Sequence, residues 1–348
     1  MGLDFLQMYA GRRLERYDPQ PTLLDAPANN EQIKEERIDL DYQQKQDAWK
    51  AINCNSRGNW RPEDWPERPI RFVDGKDVGQ TIAWLRAPGG YPVPIRLSQI
   101  GSVTMRIADG ECRREYQIVE RVVSMVVDPF PWYEVESFAS ALQAHDFRLL
   151  PAYPPDGTLS YDFEKMRRAT QDRSKDEMSL LEEAAIAQSI FEPTVIDGRL
   201  EPRSEGFDLV ESPIFGVIKT HYRNYLHPLG MQVLYGLEVG QRTPVFGIQL
   251  EKLSVLSWYI RLAGDFASFP NWGYIRVEVS KRWFEARGHS WDWIDRLSQT
   301  IYAYRSRERS YERAPVTLHP IVRAEESLGA LMTHTGILSN RFYHLTGL

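Results

Sequence analysis

Two short apolar runs, each closed by Asp-Gly, with a long helix-forming stretch between them, constrain this chain more than any other feature. Ile70–Asp74 reads IRFVD before Gly75, and Thr194–Asp197 reads TVID before Gly198. Runs of this length and character fit buried strands, and Asp-Gly is turn chemistry. Residues 163 to about 191 open with a charged half, EKMRRATQDRSKDE, and continue as MSLLEEAAIAQSIF before Pro193. Good helix formers fill that stretch, and proline cannot continue it. Strand, helix and strand in this order predict an α/β fold with a mixed sheet flanked by helices.

The remaining elements follow from the same patterns. Asp74–Gly79 is expected to turn, with Thr81–Arg86 (TIAWLR) returning as the partner strand. Pro92–Ile107 and Glu115–Val127 are β-rich and meet near Asp109-Gly110, a hairpin signal. Ile214–Ile218, Pro244–Leu250, Ser257–Leu262 and Gly273–Val279 read as further strands, and Trp291–Tyr304 and Pro320–Leu338 as helices. Residues 1–66 are polar and proline-bearing, with one helix-like stretch from about Asn30 to Asn53. They are expected to form an N-terminal helical arm, packed on the body, reaching a second subunit or simply solvated. Residues 67–348 form the main domain in this reading.

Composition narrows the function less. The chain has 348 residues and a formal net charge of −6, which speaks against a broad basic surface for gripping nucleic acid. A small acidic site with local basic flanks, or a basic partner, remains compatible. No apolar run approaches the roughly 18–20 residues that span a bilayer, so no membrane is expected. Cys54 and Cys112 are the two cysteines, too few for a disulfide framework or a zinc site, and a reducing cytoplasm is the expected location.

The two strand-end aspartates, Asp74 and Asp197, are the sharpest chemical feature. Carboxylates brought together repel and raise each other's pKa unless a cation compensates them. Hard divalent ions take such oxygens and keep positions open for water and phosphate. Two ions about 4 Å apart activate a water and stabilise the leaving oxygen of a phosphodiester. Asp-Gly is also a common turn dipeptide, so spacing alone leaves a purely structural reading open.

A set of motifs in fixed order adds to this reading. RFVDGKD, LLEEAA, TVIDGRL, IFGVIKTHYRNYL, LSWYIRL with PNWGYIRVEV, and LHPIVRAEESLGAL occur in that order over roughly residues 68–340. Together they resemble the NurA nucleases, a likeness carried by the ordered set, since each motif is short. The resemblance implies an RNase H-like core, DNA cleavage with Mn2+ or Mg2+ (two ions per site), a homodimer, and work with a HerA-type hexameric ATPase on DNA ends. Repair and anti-phage defence are both compatible contexts.

By that resemblance Asp74 and Asp197 are the paired metal ligands and Glu182 is the helix acid. Glu183 is the adjacent alternative and Glu177 a more distant one. Lys219 is placed to bind the scissile phosphate. Tyr259 and Arg261 share one strand face and are placed to bind phosphate or a metal-bound water, a core tyrosine being the plain alternative. Glu325 stands where the family usually has histidine. It is an acceptable oxygen ligand but does not donate a proton as imidazolium does. His319 and His334 are weak substitutes, and Lys76 replaces a frequent serine. These departures support a second reading, a catalytically degenerate subunit that caps and regulates the ATPase ring. A third, a metal-free carboxylate-pair hydrolase such as a glycosidase, fits the lysine-flanked Asp-Gly pairs less well.

Overall fold

The computed structural model describes residues 2–14, 37–54, 60–153, 162–201, 211–219, 224–250, 252–264, 272–307 and 317–348. The chain opens with α1 (Phe5–Met8), β1 (Arg12–Arg13), β2 (Arg37–Asp39) and β3 (Ile52–Asn53). Then come β4 (Arg71–Arg86), β5 (Pro92–Ala108), β6 (Glu111–Val126), α2 (Trp132–Gln143), β7 (Arg148–Ala152) and α3 (Phe163–Ala187). β8 (Thr194–Asp197), β9 (Ile214–Ile218), α4 (Pro228–Tyr235), β10 (Gln241–Arg242), β11 (Phe246–Gln249), β12 (Ser254–Arg261) and β13 (Tyr274–Ser280) follow. The last elements are α5 (Lys281–Ala286), α6 (Trp291–Ala303), α7 (His319–Leu331) and α8 (Thr335–Thr346).

The strands form one mixed sheet in the order β2-β11-β12-β13-β9-β8-β4-β5-β6-β7, with β1 on β4 and β10 bridging β12 and β3. β4, β8 and β9 are parallel neighbours at its centre, and the other central pairings are antiparallel. Alternate residues of these strands feed two cores. One face carries Phe72, Val103, Val195, Val217, Trp258 and Val277 beneath α6 and α7. The other carries Val73, Ile214, Phe246, Val255 and Tyr259 beneath the end of α3 and α4. The helix-flanked mixed α/β sheet expected from the sequence is therefore present.

Local expectations fare unevenly. Asp109 (φ 53°) and Gly110 (φ 77°) make the hairpin turn between β5 and β6, and the helix before Pro193 and both TVID and IFGVI strands lie where expected. The turn at Asp74–Gly79 does not exist. β4 runs straight through it because β5 pairs with it from Arg71 to Arg86, so TIAWLR is the second half of the same strand. What ends at Asp74 is the neighbour: β8 pairs with β4 only from Arg71 to Val73.

The helix expected over 30–53 is also absent where it can be judged. Residues 37–53 form β2, a 3-10 turn at Gln46–Ala48 and β3, while 30–36 lie outside the described residues. β2 pairs with β11 and β3 with β10, and Trp49 is buried against the sheet with its indole N–H shared between the Leu40 and Gln44 carbonyls. Phe5 and Leu6 are buried too, in a core shared with α2 and α8.

A corner of carboxylates where the parallel ladder stops

The centre of the sheet places the two aspartates side by side. Val73 pairs with Ile196 in the parallel ladder, so Asp74 and Asp197 occupy the next register position on adjacent strands. Asp197 in turn stands opposite Val217 of β9, two residues before Lys219. Asp74 and Asp197 share the face of Phe72 and Val195, on which α7 packs with Ala324 and Leu328. α7 thereby brings Glu325 over the same corner. The Lys219 ammonium lies 2.7 Å from Asp197 Oδ2 and 3.5 Å from Glu325 Oε1, linking strand end and helix.

Glu182 arrives from the opposite face, on α3. It lies directly over Gly75, where a Cβ would sit 2.6 Å from Glu182 Oε1. The glycine of the first Asp-Gly thus serves to seat a helix carboxylate, not to turn the chain. Because neighbouring helix residues point about 100° apart, Glu183 does not share that seat. Glu177 is engaged elsewhere, at 2.7 Å from both Arg148 and Arg173. Burial works to raise its pKa, but the bonds to Arg148 and then Arg173 bring it below the usual carboxylate range.

Asp74 is only 5% exposed, and its carboxyl is held well above the ordinary 3.8. Burial is the largest cause and the charge of Asp197 the next. Lys219 opposes them, and Glu182 and Glu325 add to the rise. Four carboxylates thus converge on one corner, with the Lys219 ammonium opposing them at Asp74, a gathering of like charge that suits a cation. An all-oxygen donor set suits a hard divalent ion such as Mn2+ or Mg2+. Their spacing is not closed around one: among the described residues, no group of three or more His, Cys, Asp or Glu side chains stands close enough to hold a metal.

Tyr259 and Arg261 do share a strand face, but it is the other face. Asp197, Val217, Val277 and Trp258 lie in one row across β8, β9, β13 and β12, so Tyr259 points away from Asp74 and Asp197. Its ring stacks on Phe246, and burial pushes its hydroxyl up to about 12. The Arg261 guanidinium donates to the Ala263 and Leu237 carbonyls. His334 caps α8 by accepting from the Gly336 N–H at 3.2 Å, and His319 is the first residue of α7. Lys76 stands near Gly329 of α7, its Nζ 3.9 Å from where a Cβ there would lie.

No protein-family profile matches the sequence. No curated protein matches it either. Among solved structures, the NurA nuclease from Sulfolobus solfataricus aligns with a TM-score of 0.46 and 9% sequence identity, over 86% of this chain and 86% of that one.

Proposed function

We propose that this chain is a metal-dependent DNA nuclease in which Asp74, Asp197, Glu182 and Glu325 supply oxygen donors to Mn2+ or Mg2+. The observation that carries the proposal is the buried Asp74 among three further carboxylates at the sheet centre. The ordered NurA-like motifs, whose acidic positions supply Asp74, Asp197 and Glu182 but not Glu325, support it separately. When bound, the ions would supply charge neutralisation and a water of lowered pKa for phosphodiester attack.

The side chains divide the remaining work. Asp74 and Asp197 stand on rigid strands, which fixes donor positions better than loops do. Lys219 offers a point charge at the mouth of the corner, suited to a scissile phosphate once it leaves Asp197. Tyr259 and Arg261 have no part in this proposal, since the sheet lies between them and Asp74, Asp197 and Glu325. The acidic chain is proposed to act as a cytoplasmic homodimer on a HerA-type ATPase ring, in repair or defence, with the ring supplying the grip on DNA that its own charge does not.

One observation favours the second reading, a catalytically degenerate subunit that caps the ring: the Lys219 ammonium already bridges Asp197 and Glu325. One experiment separates the two. Purified protein given linear and single-stranded DNA with Mn2+ should cleave it, lose that activity in EDTA, and bind Mn2+ calorimetrically. Tight Mn2+ binding without cleavage would favour the subunit reading, and no Mn2+ binding would remove the metal altogether. Sedimentation as a monomer would exclude the dimer.

A further inference from the structure

On the opposite face of β4, three residues before Asp74, an arginine is buried to 0% exposure at the start of the strand. Arg71 Nη2 donates to the Ala185 carbonyl at 3.0 Å, and Nη1 to the Ile186 and Ser189 carbonyls at 3.3 and 3.0 Å. Its Nε donates to Glu115 Oε2 at 2.8 Å. The Ala185 and Ile186 carbonyls lie in the last turn of α3 and Ser189 just beyond it, where a helix leaves its last acceptors without intrahelical partners and presents the negative end of its dipole. One guanidinium fork therefore holds the helix terminus to the strand.

The fork is itself held. Glu115 also accepts from Arg106 at 3.0 Å, and Arg106 makes a two-pronged pair with Glu192 at 2.6 and 2.7 Å, just beyond the helix. Strands β4, β5 and β6 and the end of α3 are thus tied through one ion network. Ala185 follows Glu182 by three residues, about 4.5 Å along a helix axis. The grip at Ala185 and the seat at Gly75 are two attachment points of the same helix on the same strand.

We propose that Arg71 is a positioning residue: by gripping the terminal carbonyls of α3 it sets where Glu182 stands over Gly75, and through Glu182 it tunes the divalent-cation affinity of the corner. The second half of this inference rests on the metal reading above; the first does not. Lysine in place of Arg71 keeps the charge but lacks the planar fork that reaches three carbonyls and a carboxylate together. Residues that orient a ligand without touching the ion commonly change affinity ten- to a hundredfold.

Arg71→Lys should therefore weaken Mn2+ binding about tenfold by calorimetry, at unchanged far-ultraviolet circular dichroism. In a Glu182→Gln background the same substitution should have little further effect, because both act through one carboxylate. Arg242→Lys, which perturbs an equally buried arginine tied to Asp295 at 2.8 Å, should lower Tm without changing Mn2+ affinity. Equal, additive losses from Arg71→Lys in the wild-type and Glu182→Gln backgrounds would overturn the action through Glu182.

Hydrogen exchange tests the grip whether or not an ion binds. Arg71→Lys should speed exchange over 180–189 more than elsewhere in the native protein, and uniform acceleration would overturn it. If Arg71→Lys does not fold, Glu115→Gln, which releases the far side of the fork, should give the same local pattern with a smaller amplitude. A wild type that binds no Mn2+ removes the metal reading and leaves the exchange pattern to decide the grip.

Discussion

Arg71 and Asp74 stand three residues apart on one strand, both buried and both ionisable, and they are treated in opposite ways. Arg71 is met by a carboxylate and three carbonyls, and that carboxylate is shared with Arg106. Asp74 is surrounded by Asp197, Glu182 and Glu325, and the nearest cation, Lys219, is closest to Asp197. A buried charge with complete partners holds structure, whereas one left against its own sign stores energy that a ligand releases. Strand alternation produces the contrast: odd positions face α3 and its carbonyl end, and even positions face α7 and its glutamate.

The largest expected effect breaks the contrast on the Asp74 side. Asp74→Ala or Asp197→Ala should reduce Mn2+-dependent cleavage at least tenfold, by loss of a direct ligand, while leaving the metal-free fold intact. Retention of most activity by either variant would remove the corner from the chemistry.

On the Arg71 side the loss should be in stability. Arg71→Met takes one donor from Glu115, which keeps Arg106, and one each from the Ala185, Ile186 and Ser189 carbonyls, which costs on the order of 3–5 kcal/mol. Urea titration reads this directly, and a change near zero would mean that the network contributes little.

A smaller effect sharpens the contrast through pH. The ordinary pKa of Asp74 is 3.8 and the folded value lies above it, so between the two the folded protein holds the extra proton. Stability from this group is thus lost as pH rises from the unfolded value through the folded one, and is regained on acidification. Metal-free Asp74→Asn should flatten that slope and raise stability near neutral pH. Tm measured without metal from about pH 5 to 8 checks it, and a variant with the wild-type slope would mean that Asp74 carries no excess charge.

How much of this was legible in the sequence follows from how local the cause is. The Asp109-Gly110 turn, the TVID strand and the helix before Pro193 are fixed by neighbours in the chain, and the pattern finds them. The straight passage of β4 through Asp74-Gly75 depends on β5, thirty residues away, so local turn chemistry misled. The helix expected over Pro320–Leu338 breaks at Thr333 because Gln99 of β5 both donates to its carbonyl at 2.6 Å and accepts from its N–H at 2.8 Å. β7 carries Pro151 and sits at the sheet edge, where proline is tolerated but strand patterning is weak. The adjacent acids Glu182 and Glu183 are equivalent in sequence and separate only once Gly75 is seen beneath one of them. Nothing local marks the arginine in IRFVD as buried, so Arg71 shows its role only once α3 is seen packed on β4.

The smallest expected effect concerns Tyr259, and it tests whether the sheet itself is the boundary between the two kinds of buried group. Its hydroxyl is pushed up to about 12, chiefly by burial, so it stays protonated at neutral pH. Its ring stacks on Phe246 in the core beneath α4, one residue out of the row that leads from Trp258 to Asp197. A side chain there has the backbone of the sheet between it and Asp74, Asp197 and Glu325. Tyr259→Phe should therefore change kcat and KM of Mn2+-dependent cleavage less than about threefold, with a stability cost of roughly 0.5–1.5 kcal/mol for a buried hydroxyl's hydrogen bond. The same substitution on the carboxylate face would remove a phosphate contact and raise KM. A tenfold loss in kcat with native stability would mean that the chemistry extends across the sheet. Strand alternation would then no longer separate the groups that hold this fold from those that act.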